Sequence, residues 1–260
     1  MFAQDSSLAI QFRVVGAIVL RDLRTRFGRT AFGSLIFVAW PLTHLCFIMA
    51  AFLLARRTLP IGTDPAVFVG TGVLPYILCF YPARMIMFAL FQNKPLLGLP
   101  AVKAPDIILS RCIVEVTAAF WVTALFFLGL YLFGVDVIPH RPNDAVLAIL
   151  ATVYLGFALG WLGAVMYAAV RAWIVVQIGW LLGMYFTSGV FFIPTALPER
   201  IRNILWYNPL LHAVEWLRSA YYDGYGYGML SRTYLLVSAT LILFAGLLIE
   251  RAIRGRLLEH

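Results

Sequence analysis

Ala145-Val-Leu-Ala-Ile-Leu-Ala-Thr-Val-Tyr-Leu-Gly-Phe-Ala-Leu-Gly-Trp-Leu-Gly-Ala-Val-Met-Tyr-Ala-Ala-Val170 runs for 26 residues without an Asp, Glu, Lys or Arg. At a 1.5 Å rise per residue, about 20 apolar residues cross the hydrocarbon core of a bilayer, so this stretch reads as a membrane-spanning helix. The same pattern continues outward. Residues 30–55, 116–135, 172–198 and 233–249 are equally free of charge, and 65–93 carry only Arg84. Six spans are expected, at 32–54, 66–91, 109–133, 146–169, 173–193 and 232–250, in one all-α membrane domain covering residues 1–260.

Composition excludes the soluble alternatives. The 260 residues are 62% hydrophobic and 12% charged, against about 45–50% and about 25% in globular domains; mean hydropathy is +0.89. Lys and Arg outnumber Asp and Glu by 20 to 12. These charges sit between apolar runs, so membrane orientation and anionic headgroups account for the excess, and nucleic acid is not expected as a partner. Cys46, Cys79 and Cys112 lie in or at the ends of apolar runs without a C-x-x-C pair, which argues for small buried side chains rather than zinc or disulfides. Residues 1–12 carry Gln4, Asp5 and Gln11 rather than a basic stretch, so no cleavable signal peptide is expected.

Basic residues set the orientation. With both termini cytoplasmic, twelve lie inside (Arg13, Arg21, Arg24, Arg26, Arg29, Lys94, Lys103, Arg111, Arg171, Arg251, Arg254 and Arg256) and seven outside, from Arg56 and Arg57 to Arg232. Ahead of the first span, Leu8, Phe12, Val15, Val19 and Leu23 recur every three or four residues opposite Gln11, Arg21 and Arg24. Residues 8–27 therefore read as an amphipathic helix in the membrane plane. Arg21-Asp-Leu-Arg-Thr-Arg-Phe-Gly-Arg29 is dense enough in charge to dock an acidic protein surface, although a plain topology signal would look similar.

Two connections carry more information. Gln92-Asn-Lys-Pro-Leu-Leu-Gly-Leu-Pro-Ala-Val-Lys-Ala-Pro-Asp106 is broken by three prolines and a glycine, leaving room only for a short helix. It offers Leu96, Leu97, Leu99 and Val102 as an exposed apolar knob between Lys94 and Lys103. The segment 194–231 holds two short helical stretches split at Asn208-Pro209, too brief to span and too apolar for water. A pair of re-entrant half-helices is expected, since such backbone is tolerated at membrane depth only when buried in protein or lining a wet cavity.

Several chemistries are excluded. No G-x-x-x-x-G-K-[ST] and no H-E-x-x-H occur, so the chain carries neither a P-loop nor that zinc site. His212 and Glu215 form too small a pair for a metal, and Ser188 lacks a matching nucleophile-and-base set; Ser188-Gly189, Gly156-x-x-x-Gly160 and Gly179-x-x-x-Gly183 read instead as close helix packing. Arg111 and Glu115, four apart, can pair and snorkel. Arg84 interrupts a span, where charge is costly unless it meets water, a carboxylate, backbone carbonyls or an anionic ligand. Trp40, Trp173, Trp180, Tyr185, Phe191, Phe192, Trp206 and Tyr207 crowd the ends of spans one and five and the broken segment. They are interface anchors, core, or faces on which sugar rings stack.

Four features occur in order: Arg21–Arg29 running into Phe37-Val-Ala-Trp-Pro-Leu42; Leu74-Pro75; Ser188-Gly-Val-Phe-Phe-Ile-Pro194; and Leu197-Pro-Glu199 followed by Tyr207-Asn-Pro-Leu210 with His212, Glu215 and Arg218. Together they resemble the permease subunit of type-2 ABC exporters, and within that group the capsular polysaccharide export permeases of the KpsM type. O-antigen permeases are next nearest; teichoic acid, lipid or drug exporters share the architecture. A secondary transporter would need inverted repeats, which the halves do not display.

The resemblance implies a bacterial inner-membrane channel made with a second copy of the chain. It carries no cofactor of its own and is driven by ATP and Mg on two separate ATPase subunits. It implies an interface helix at 8–27, a coupling helix at 93–104 (Lys94, Leu96, Leu97 and Lys103, with Arg21, Arg24, Arg26 and Arg29 nearby) and a re-entrant pair at 195–218 marked by Pro198, Glu199, Asn208, Pro209, His212 and Glu215. A lipid-linked polysaccharide, with acidic capsules favoured by Arg84, Arg56, Arg57 and Arg218, would pass Arg84, Trp40, Trp173, Trp180, Tyr185, Phe191, Phe192, Trp206, Tyr207 and Arg218. A periplasmic co-polymerase-type adaptor would receive it.

Overall fold

The computed structural model describes residues 7–27, 31–54, 61–62, 64–225 and 228–258. Its regular structure is entirely helical among the described residues. In chain order the helices are α1 (Ser7–Phe27), α2 (Ala31–Leu54), α3 (Pro65–Met87), α4 (Ala89–Gln92), α5 (Ala104–Leu132), α6 (Pro142–Ala169), α7 (Trp173–Thr187), α8 (Glu199–Leu205), α9 (Pro209–Tyr221) and α10 (Arg232–Leu258), with 3₁₀ turns at Lys94–Gly98 and Pro194–Ala196.

Local chemistry sets the starts. Asp64 caps α3, its carboxylate accepting from Ala66 N at 2.7 Å, with Pro65 in the first turn. Asp106 reaches back to Lys103 N at 2.9 Å to open α5. Asn208 accepts from Leu210 N at 2.9 Å ahead of Pro209 to open α9. Each proline falls where its missing N–H would have had no helical partner.

α3 is the spine. Pro82 within it cannot donate to the Leu78 carbonyl, and α6 approaches at that point. A Cβ on Gly156 would lie 3.1 Å from that oxygen and 2.9 Å from the Cys79 carbonyl; one on Gly160 would lie 2.7 Å from Ile86 Cβ. Around this pair lie α5, α2, α7 and α9, while α10 packs along the other side of α6, where Gly246 meets Trp161 and Leu162. Buried Phe68, Leu74, Leu78, Leu155, Leu159 and Leu217 join these helices in one core.

Among the described residues, four helices, Pro65–Met87, Ala104–Leu132, Pro142–Ala169 and Arg232–Gly255, are long and apolar enough to cross a membrane; Val38–Leu54 and Trp173–Thr187 are shorter apolar helices. α7 departs from the stretch expected at 173–193. It stops at Thr187, and its 15 residues rise only about 22 Å. The remaining six residues turn at Gly189, whose φ of +78° suits glycine and penalises other residues. Every residue of α9, Pro209–Tyr221, is buried, so this helix is an interior element.

Candidate functional site

The densest aromatic contact in the bundle lies where α2, α3 and α7 meet. Tyr76 and Tyr185 stack with ring centroids 3.7 Å apart at 20°. His44 stands edge-on to both at 6.0 Å, and its Nδ1 lies 3.3 Å from Tyr81 Oη. Phe80 tilts against Tyr76 at 5.1 Å, and Phe191 meets Tyr185 edge-on at 5.2 Å. Trp40 sits against the Tyr81 hydroxyl, and Arg84, half-buried one turn along, is close enough to Tyr81 to act on it electrostatically. Arg84, Tyr81, Trp40, His44, Tyr76, Tyr185 and Phe191 thus form a continuous ladder of ring faces and polar tips. Trp40 and Tyr81 also line an apolar cavity of about 220 Å³ with Glu115 in its wall.

The ladder brings together Arg84, Trp40, Tyr185 and Phe191 of the expected path and adds His44, Tyr76, Phe80 and Tyr81. The added signal was present as Tyr76-x-x-x-Phe80-Tyr81 on one helix and His44 one turn after Trp40 on another. Tyr76 (2% exposed) and Tyr185 (6% exposed) are buried, so the ladder is open to a ligand at Trp40, His44, Tyr81 and Arg84. A flat ring beside a hydroxyl and an imidazole suits a ligand rich in hydroxyls and apolar ring faces, as a sugar is. Among the described residues no carboxylate forms an ion pair with Arg84.

Other expected path residues lie elsewhere. Trp206 and Tyr207 belong to a second aromatic group: Trp206 meets Tyr234 at 4.5 Å and His212 at 5.1 Å, and Tyr207 is exposed. Phe192 packs with Leu205, Leu211 and Met229. The Trp173 indole donates to Gln177 Oε1 at 3.0 Å, and Trp180 is on the surface of the protomer. Arg218, expected on the path, is 0% exposed. Its Nη1 donates to the carbonyls of Gly189 (2.6 Å) and Phe192 (3.2 Å), its Nη2 to that of Val190 (3.0 Å), and its plane lies 4.3 Å from the Phe68 ring. Within the protomer it faces protein, because the turn after α7 points three carbonyls inward.

The broken segment is held by its own polar residues. Asn208 Nδ2 donates to Met184 O and Thr187 Oγ1, both at 2.9 Å, tying the start of α9 to the end of α7. His212 Nε2 donates to the Trp206 carbonyl at 2.8 Å, and Ser231 N donates to His212 Nδ1 at 3.2 Å. Both ring nitrogens are occupied. Ser188 Oγ donates to Tyr185 O, and no cluster of metal-ligating side chains occurs among the described residues. Glu215 Oε1 accepts from Tyr225 Oη at 2.6 Å. Burial, then the adjacent Glu215 carboxylate, pushes the Tyr225 phenol above its ordinary range, which keeps the proton on the tyrosine. Pro198 precedes α8, and Glu199 is exposed in its first turn.

At the opposite end, Lys94, Lys103 and Arg24 are exposed. The expected apolar knob is mostly folded back: the 3₁₀ turn winds Leu96 and Leu97 onto the cluster containing Ile18, Ile107 and Val165, Val102 joins them, and Leu99 remains 52% exposed. Leu97, Leu99, Val102, Lys103 and Arg254 line a groove of about 330 Å³. Arg21 turns inward to Asp22 and Asn93. Arg29, Arg56, Arg57 and His260, and the side chain of Arg26, lie outside the described residues. Gly156 and Gly160 do mediate close packing, but Gly179 and Gly183 meet nothing within 4 Å in the protomer, because that face of α7 turns away from the bundle.

Residues 13–222 match the model of the ABC-2 type transporter family. Over 247 residues, 95% of each chain, the sequence is 28% identical to the polysialic acid transport protein KpsM of Escherichia coli. It is 27% identical over 252 residues to the capsule polysaccharide export inner-membrane protein BexB of Haemophilus influenzae, covering 94% of this chain and 92% of that one. It is 25% identical over 250 residues to the capsule polysaccharide export inner-membrane protein CtrC of Neisseria meningitidis, covering 93% and 91%.

Proposed function

The chain belongs to the ABC-2 type transporter family, and from that premise we propose that it is the inner-membrane permease of an ATP-driven exporter of lipid-linked capsular polysaccharide. The full-length likeness to KpsM, BexB and CtrC supports the class of cargo. The observation that carries it into this chain is the accessible end of the ladder. There exposed Trp40 and half-buried Tyr81 stand at the apolar cavity beside half-buried Arg84 and offer a ring face and polar tips to a sugar, backed by the buried Tyr76–Tyr185 stack. ATP and Mg act on separate ATPase subunits, and the permease supplies the path.

In this proposal α2, α3, α5, α6, α7 and α10 are the six spans, with both termini cytoplasmic and α1 in the membrane plane. α7 crosses with the help of the turn that follows it, and α8 and α9 form the re-entrant pair at the outer mouth. A second copy closes the channel, its partner surface including the open face of α7 with Gly179, Gly183 and exposed Trp180 and Phe186; a two-fold pair is the commonest such assembly. A co-polymerase-type adaptor takes the polymer beyond the membrane.

The 94–103 loop is the seat of the ATPase subunits. Its groove and exposed Leu99 present an apolar contact ringed by Lys94, Lys103 and Arg254. Leu99→Asp places a charge in that contact without touching the core. Co-purification of the ATPase is expected to weaken by about tenfold while the permease inserts normally; unchanged co-purification and export remove the assignment.

The cargo is acidic. Arg84 acts on it through its charge, raising the local concentration of an anionic chain. Arg84→Ala is expected to slow export of an acidic polymer by about tenfold and leave a neutral one within about twofold. The test compares both polymers in one vesicle assay, and equal losses eliminate the electrostatic role.

A further inference from the structure

Asp22, Gln92, Arg111 and Glu115 make a polar junction among three separate elements, buried except at Gln92, whose side chain is exposed; Glu115 also reaches the cavity beside the ladder. Asp22 near the end of α1 is 3% exposed, and Arg111, two turns into α5, is 4% exposed. Arg111 Nη1 donates to Asp22 Oδ2 at 3.3 Å, its Nη2 donates to Gln92 Oε1 at 2.8 Å at the end of α4, and its Nε lies 3.4 Å from Glu115 Oε1 on its own helix. Arg21 reaches Asp22 Oδ1 at 3.0 Å and also donates to Asn93 Oδ1. Asn93 Nδ2 in turn donates to Ala89 O at 3.0 Å. Next to this junction, Ser110 Oγ donates to the Asp106 carbonyl of its own helix at 2.5 Å and lies 3.3 Å from the Val15 carbonyl of α1.

One guanidinium therefore touches α1, the stem of the 94–103 loop and α5. Buried ion pairs contribute little net stability compared with apolar side chains of similar size, so folding alone does not call for this arrangement. A planar fork with donors in fixed directions does something apolar packing cannot: it fixes the mutual position of three elements and resists their sliding. Leu96, Leu97 and Val102 also pack beside Ile107 of α5, but apolar contact is non-directional and the chain between carries Pro95, Gly98 and Pro100, so these links permit sliding where the guanidinium does not.

We propose that Arg111, with Asp22 and Gln92, is a strut that makes the interface helix, the loop and α5 move as one rigid body, so that a push on the loop is delivered to the span. This rests on the proposal that the loop is where the ATPase subunits act. Arg111, Asp22 and Gln92 are then positioning residues for coupling, and Arg21 serves the strut rather than an acidic surface on the partner.

The test uses the permease–ATPase complex in sealed vesicles and reads ATP hydrolysis and polymer export together. Gln92→Ala changes an exposed side chain, and Arg111→Lys keeps the charge beside Asp22 but cannot reach Gln92 at the same time. Both complexes are expected to assemble and to hydrolyse ATP within about twofold of the parent, while polymer exported per ATP falls about fivefold or more. The double variant should be no worse than the worse single, because both break one link. If Arg111→Lys does not assemble, Gln92→Ala decides. Unaltered export per ATP in Gln92→Ala, or losses that simply multiply in the double variant, overturn the strut. If Leu99→Asp uncouples hydrolysis from export while Gln92→Ala does not, the strut alone is wrong; if Leu99→Asp has no effect, the loop is not the seat.

Discussion

Arg218→Ala is expected to abolish export and to lower the amount of folded permease in the membrane. The guanidinium is 0% exposed and holds three carbonyls of the turn that ends α7, at 2.6, 3.0 and 3.2 Å. Enclosed in protein, these carbonyls have no water to replace it, and each buried acceptor left without a donor costs about 1–3 kcal/mol. Three such losses are comparable with the whole stability margin of about 5–15 kcal/mol. The site cannot relax by collapse. On its far side a Cβ at Gly72 would come within 2.7 Å of Arg218 Nη2 and 2.9 Å of the Val190 carbonyl, so the guanidinium fills the space between α3 and the turn. Arg218→Lys retains the charge and the Phe68 contact but offers a single point of donation, and an intermediate loss is expected. Detergent-extracted yield, thermal unfolding and export read together make the check; parental stability in Arg218→Ala would show that the turn holds itself.

Gly156→Leu is expected to be the most damaging change at a helix contact. The atoms a side chain would meet there are backbone: Cys79 O at 2.9 Å, Cys79 Cα at 3.0 Å and Leu78 O at 3.1 Å. Backbone cannot swing aside, so α3 and α6 must separate. Overpacking against movable side chains costs about 1–3 kcal/mol, and here the cost should reach or exceed the top of that range. Gly183→Leu provides the contrast, since nothing lies within 4 Å of it in the protomer; it should leave protomer unfolding unchanged and act, if at all, on association. Comparable unfolding temperatures for the two variants would count against α3–α6 contact as the spine.

Much of the helix pattern was legible in the chain because hydrocarbon is an unforgiving solvent: a long stretch without charge has few alternatives to a helix. The break at Asn208-Pro209 and the Arg111–Glu115 spacing were equally local, whereas the caps at Asp64 and Asp106 emerge only with the structure. The end of α7 was not legible, because Ser188–Ile193 is as apolar as the helix before it and only the backbone angle at Gly189 breaks the run. Leu96 and Leu97 looked exposed because the loop is rich in Pro and Gly, yet the 3₁₀ turn aims them at helices distant in sequence.

The aromatic ladder divides the same way. Trp40, Tyr185 and Phe191 stood out by crowding at helix ends, whereas His44, Tyr76 and Tyr81 gain meaning only when α2, α3 and α7 lie side by side. By itself the sequence determined that the chain is a helical membrane protein lacking the P-loop motif, because charge spacing and motifs are properties of composition and order. Tertiary structure decided that Arg218 holds the turn after α7, that Arg111 joins three elements, and that two of four packing glycines face nothing in the protomer. Each of those depends on which distant backbone a side chain meets, and that is set by the packing of helices rather than by any one helix.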